Sequence, residues 1–216
     1  MIELKRDNYF ISPIYYGFDD MYVKSLNKLT NKYIKEARKR NKDTIKKTKD
    51  FGMTHHSTSL IPDPETQAFQ QMILNGAEDI LTRQQGYDLK EYKLFITELW
   101  VQEFSKNGGG WHEIHTHWNS HISGFYFLKG GEQTSRPVFH DPRPGKVMND
   151  LPMLNKDMVN DAQSAVNYIP KPGTILFFPS YLPHSYVVDH GKEPFRFLHW
   201  NIQAIPKGAL NNATNK

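Results

Sequence analysis

From residue 92 onward the chain breaks into short apolar, aromatic-rich runs separated by glycine and proline turns, with no alternation of strand and helix. The runs are 94–104, 122–128, 136–139, 174–178, 184–188 and 195–202. The turns fall at 108–110, 130–131, 170–173 and 189–191. Parallel strands need long crossover connections, usually helices, and these runs have none between them. The pattern therefore predicts an antiparallel sandwich or barrel. Helical periodicity is confined to residues before 92, so the expected class is α+β, mainly β, with N-terminal helices packed on one sheet.

Within that N-terminal part, residues 10–16 read as an edge strand, because Pro13 cannot donate to a ladder on both sides. Asp19 and Asp20 open an amphipathic helix whose stripe is Tyr22, Leu26, Leu29, Tyr33 and Ala37. Residues 41–52 are polar and lysine-rich and read as a linker or mobile loop. A second helix starts at Asp63-Pro64, a cap residue followed by proline in the first turn. Its apolar face is Phe69, Met72, Ile73, Ala77, Ile80 and Leu81, with a stop at Gly86. Residues 141–168 are polar and weakly periodic, an insertion expected at the mouth of a site. The expected organisation is one domain over 1–216, with a helical part at 1–92 and a β core at 93–204.

A chain of 216 residues, 38% hydrophobic, can bury one substantial core. It has no cysteine, which excludes disulfides, thiol chemistry and cysteine-ligated zinc. No stretch approaches the ~18–20 apolar residues of a membrane span, and the start Met-Ile-Glu-Leu-Lys-Arg-Asp lacks a signal-peptide core. The expectation is a cytoplasmic protein without a membrane partner. The net charge of +4 is uneven: residues 1–50 hold 13 Lys+Arg against 7 Asp+Glu. Such an arm attracts nucleic acid or acidic proteins, but it lacks interleaved aromatics, and a solvated helix face is the simpler reading.

Four histidines, His112, His115, His117 and His121, fall within ten residues, and His184 follows a proline–glycine turn and an apolar run. Histidines at i and i+2 on extended backbone point the same way. A third ligand from a neighbouring strand would complete one face of a metal and leave the opposite face open, as a catalytic metal requires.

The order His115-Thr-His117, Ser123-Gly-Phe-Tyr-Phe-Leu128, Phe139-His-Asp-Pro-Arg143, Pro172-Gly through Phe178-Pro-Ser to His184, and then Arg196 to Asn201 resembles a known family. These are the 2-oxoglutarate/Fe(II)-dependent oxygenases of marine bacteria and phages, distant relatives of prolyl hydroxylases. The resemblance covers roughly residues 93–204. It implies a double-stranded β-helix (jelly-roll) core and Fe(II) and 2-oxoglutarate as cofactors. His115, His117 and His184 would be metal ligands, and Arg196 would hold the distal carboxylate of 2-oxoglutarate through its planar fork.

Two departures stand out. The family's second ligand is a carboxylate, and here the position is His117, so either three neutral ligands bind the metal or another residue contributes, His121 and Asp141 being the alternatives. The hydroxyl residue two after the arginine is replaced by Leu198, which leaves Tyr126 to bond the same carboxylate. Arg143 would orient substrate at the pocket rim, though Asp-Pro-Arg is also a turn signal.

The activity implied is hydroxylation of a protein side chain or a small metabolite, with release of succinate and CO2. Two rivals remain open: a cupin-like metalloenzyme that does not use 2-oxoglutarate, and a non-catalytic jelly-roll binding module. The edge strand and the first helix are the surfaces through which a homodimer would form.

Overall fold

Strand β5 (Ile122–Lys129) is buried along nearly its whole length, because both of its faces are covered. Ile122, Tyr126 and Leu128 join a core shared with the helices, whereas Phe125 and Phe127 join a second, aromatic core. A computed structural model describes residues 5, 10–148, 151–155 and 157–213, and everything below concerns those residues.

Two antiparallel sheets enclose the aromatic core. The larger runs in the order β1 (Tyr15–Phe18), β8 (Thr174–Pro179), β5, β10 (Arg196–Pro206), β3 (Tyr92–Phe104) and β2 (Thr54–His56). The smaller runs β4 (His112–His115), β9 (His184–Tyr186), β6 (Pro137–His140) and β7 (Ala165–Asn167). From β3 to β10 the chain switches sheet at each step except between β6 and β7. This is jelly-roll connectivity, with Phe104, Phe125, Phe178 and Phe197 from one sheet facing Phe139 and Tyr186 from the other.

The helices cover the outer face of the larger sheet. Helix α1 (Val23–Arg40) buries Leu26, Leu29, Thr30, Ile34 and Ala37, close to the predicted stripe. Asp63 caps a 3-10 turn at Pro64–Thr66, accepting from the backbone N–H of Glu65, and α3 (Gln67–Asp79) follows and buries Phe69, Ile73 and Ala77. Its last turn widens to a π-turn over Ile80–Gln84. Phe69 packs edge-on against Trp200 of β10. Gly124 makes room for that indole: a Cβ there would lie 2.2 Å from the Trp200 ring.

Several expectations are corrected. Residues 41–52 are not simply a linker, since α2 (Lys42–Thr48) forms there with no buried residue. The edge strand is Tyr15–Phe18, later than 10–16, because Pro13 keeps the segment before it out of the ladder. The 141–168 insertion carries the short helix α4 (Pro144–Met148) and strand β7. A final helix, α5 (Lys207–Ala213), follows β10. Among the described residues no helix is long and apolar enough to cross a membrane.

Candidate metal centre

His115 ends β4 and faces His184, which opens β9; the two are register partners with ring centroids 4.4 Å apart. His117 lies just past the end of β4, and its backbone N–H donates to the Ser180 carbonyl at 2.9 Å, which carries it back over β9. Its ring is 5.0 Å from that of His184 and 5.2 Å from that of His115. One nitrogen from each of the three falls within 4.8 Å of the others.

Backbone carbonyls set two of the tautomers. Nδ1 of His184 donates to the Leu182 carbonyl (3.0 Å) and Nδ1 of His115 to the Glu113 carbonyl (2.8 Å). Each ring therefore turns an Nε2 lone pair toward the cluster. His117 is held from behind by the Asn201 amide, which reaches its Nδ1 at 3.2 Å, while its Nε2 faces His184 Nε2 at 3.3 Å. Asn201 is fixed in turn: its carbonyl accepts from Ser123 at 2.6 Å, and its amide donates to Glu98 at 2.8 Å. A register shift where Asn201 and Ile202 of β10 pair with Glu98 and Ile96 of β3 leaves Thr97 as an extra residue. The bulge re-aims Glu98 toward the site.

Burial, reinforced by the neighbouring histidines, lowers the pKa of His184 to about 3 and of His117 to about 4. Burial does the same for His112, also to about 4. All three are neutral at pH 7, with lone pairs available and no charge to repel a cation. The donor set suits a borderline divalent metal such as Fe(II).

The wall around these histidines is aromatic: Phe125 and Phe178 lie 5.6 and 4.8 Å from the His184 ring. The space enclosed is about 10 Å³, room for roughly one water molecule. No lysine or arginine lines it.

Arg196 is the main correction. Its side chain leaves the opposite face of β10, where Nε donates to Glu103 at 2.8 Å and Nη1 to Thr30 and Asn31 of α1 at 3.1 and 2.8 Å. Phe197, one residue on, takes the interior face. Tyr126 is likewise turned outward, its hydroxyl donating to the Asp19 carbonyl at 2.6 Å. Neither is brought to the histidines. His121 accepts from the Ala204 N–H at 3.1 Å, and Asp141 pairs with Arg143 at 2.7 Å; neither joins the three histidines. Asp141 and Arg143 instead rim a separate cleft of about 540 Å³, whose wall includes Phe139 and Leu182, the residues that back and orient His184.

Sequence reasoning passed over two residues at the site. His199, read as structural, has its ring 4.5 Å from that of His117, and one donor atom of exposed Glu98 falls within 4.8 Å of donor atoms on both. A carboxylate facing Asn201 and an imidazole facing Trp100, on neighbouring strands of large apolar residues, are the signal that marks them.

Residues 98–196 match the family model described as "Putative 2OG-Fe(II) oxygenase". No curated protein matches the chain in sequence. Among solved structures, a Pseudomonas putida prolyl-4-hydroxylase aligns over 88% of this chain and 92% of its own, with TM-score 0.51 and 13% identity. The viral collagen prolyl hydroxylase of Paramecium Bursaria Chlorella virus-1 aligns over 95% and 98%, with TM-score 0.48 and 12% identity. At such identities the first likeness speaks for the shared double-stranded β-helix fold.

Proposed function

For a chain that belongs to the 2-oxoglutarate/Fe(II)-dependent oxygenases, whose cofactors are Fe(II) and 2-oxoglutarate, we propose that His115, His117 and His184 hold the iron and that the substrate is a protein side chain or a small metabolite. The observation that supports this reading is the convergence of three imidazoles, one donor nitrogen of each within 4.8 Å of the others. When bound, Fe(II) with 2-oxoglutarate supplies the oxidising power to place one oxygen atom of O2 in a substrate C–H bond, the other leaving in succinate alongside CO2. The chain's own contribution is positional. Leu182 and Glu113 orient two imidazoles, Asn201 steadies the third, and the phenylalanines behind His184 exclude water. The cleft beside Phe139 has the size of a small-molecule or short-peptide site.

The outward turn of Arg196 favours a second reading, a metalloenzyme that oxidises without 2-oxoglutarate. Succinate separates the two. The Fe(II)-loaded protein incubated with 2-oxoglutarate and O2 is expected to form succinate slowly even without substrate, and His184→Ala to abolish this. Oxygen uptake without succinate would move the assignment to the second reading.

A further inference from the structure

His199 is fully buried on β10, and among the described residues neither of its ring nitrogens has a hydrogen-bond partner. An imidazole left with both nitrogens unsatisfied costs stability, and a buried polar group of this kind calls for a reason. Its position supplies one. Its ring centroid is 4.5 Å from that of His117, the planes tilted by 31°, and one donor atom each from His199, His117 and Glu98 falls within 4.8 Å of the others. The Asn201 amide nitrogen already sits between two of these donors, 2.8 Å from Glu98 and 3.2 Å from Nδ1 of His117. An electropositive group is therefore held where a cation would lie.

We propose that Glu98, His117 and His199 form a second cation site, adjoining the three-histidine centre and sharing His117 with it. The inference rests on the reading of His115, His117 and His184 as metal ligands. His117 turns Nε2 toward His184 and Nδ1 toward the Asn201 amide that also meets Glu98, so its imidazole would offer one nitrogen to each cation. A neutral imidazole carries one ring proton, and binding through both nitrogens releases it to solvent. The Asn201 amide swings aside as the second cation enters. Two imidazole nitrogens and a carboxylate, open to solvent on the Glu98 side, suit a divalent transition metal rather than Ca(II) or Mg(II).

Equilibrium dialysis of the metal-stripped chain against Zn(II), followed by metal analysis, tests this. The expected content is two Zn(II) per chain in wild type and one in each of Glu98→Gln, His199→Phe and His184→Gln. Glu98→Gln keeps shape at an exposed position. His199→Phe removes both unsatisfied nitrogens and keeps the ring stack, so its melting temperature is expected to hold or rise, as lost packing would not allow. One Zn(II) in wild type, lost in His184→Gln but kept in Glu98→Gln and His199→Phe, overturns the second site and spares the first. No Zn(II) in wild type overturns both.

Discussion

Arg196 is more than nine-tenths buried and fully engaged, with Glu103 on one side and Asn27, Thr30 and Asn31 of α1 on the other. Removing the arginine leaves Glu103 to Lys129 at 3.3 Å and strips Thr30 and Asn31 of their donor, at a cost toward the lower end of the ~3–5 kcal/mol typical of a broken buried pair. Arg196→Ala is therefore expected to lower stability by about that amount in urea unfolding, while the melting shift produced by Mn(II) stays as in wild type. A loss of metal response at unchanged stability would show that the residue serves the centre after all. The sequence argument that Arg196 and its flanking phenylalanines point to opposite faces holds, since Phe197 is interior. What residue order could not reveal was which face is which, because β10 is buried on both, by helices outside and by the second sheet inside. The histidines were legible for the contrary reason: His115, His117 and His184 sit where strands end, and turn signals mark those ends in the sequence.

At the scale of elements, long strands were legible and two of the short ones were not. β3, β5, β8 and β10 carry runs of apolar and aromatic residues that no solvated loop would hold. β2 and β7 are three residues each, too short to show a period, and their existence depends on partners distant in the chain; β6 and β9, as short or nearly so, were legible as the runs 136–139 and 184–188. α2 buries nothing, so no stripe could announce it. Packing between β5 and β10 offers a direct check. A Cβ at Gly124 would lie 2.2 Å from the Trp200 ring and 2.5 Å from the Leu176 carbonyl oxygen, and both surroundings are rigid. Gly124→Ala is expected to cost at least the ~1–3 kcal/mol typical of overpacking. A neutral effect in thermal melting would mean that β5 and β10 do not pack as described.

For the whole molecule, the histidine cluster ties stability to pH. His184, His117 and His112 titrate at about 3, 4 and 4 in the folded state because burial disfavours their charged forms. In the unfolded chain they titrate near ~6.5. Between those values the unfolded state binds more protons, so stability falls as pH drops below about 6.5 and the loss is complete only near the folded values. Urea midpoints of the metal-stripped protein are expected to decline steadily from pH 7 to pH 4.5, and His112→Gln to flatten part of that slope. A flat profile would contradict the buried neutral cluster. Metal binding requires the same unprotonated nitrogens, so in the folded protein it should weaken only as pH approaches the folded-state values of about 4 and below.

The central claim is that His115, His117 and His184 form one metal-binding face. Thermal melting of the chelator-stripped protein with and without Mn(II) tests it most directly. A cation at ~100 times its dissociation constant should add about 2.7 kcal/mol of stability. The account predicts a clear rise in melting temperature for wild type and a distinctly smaller one for His115→Ala and His184→Ala, the remainder coming from the Glu98–His117–His199 site. Equal shifts in all three proteins, or no shift in wild type, would contradict it.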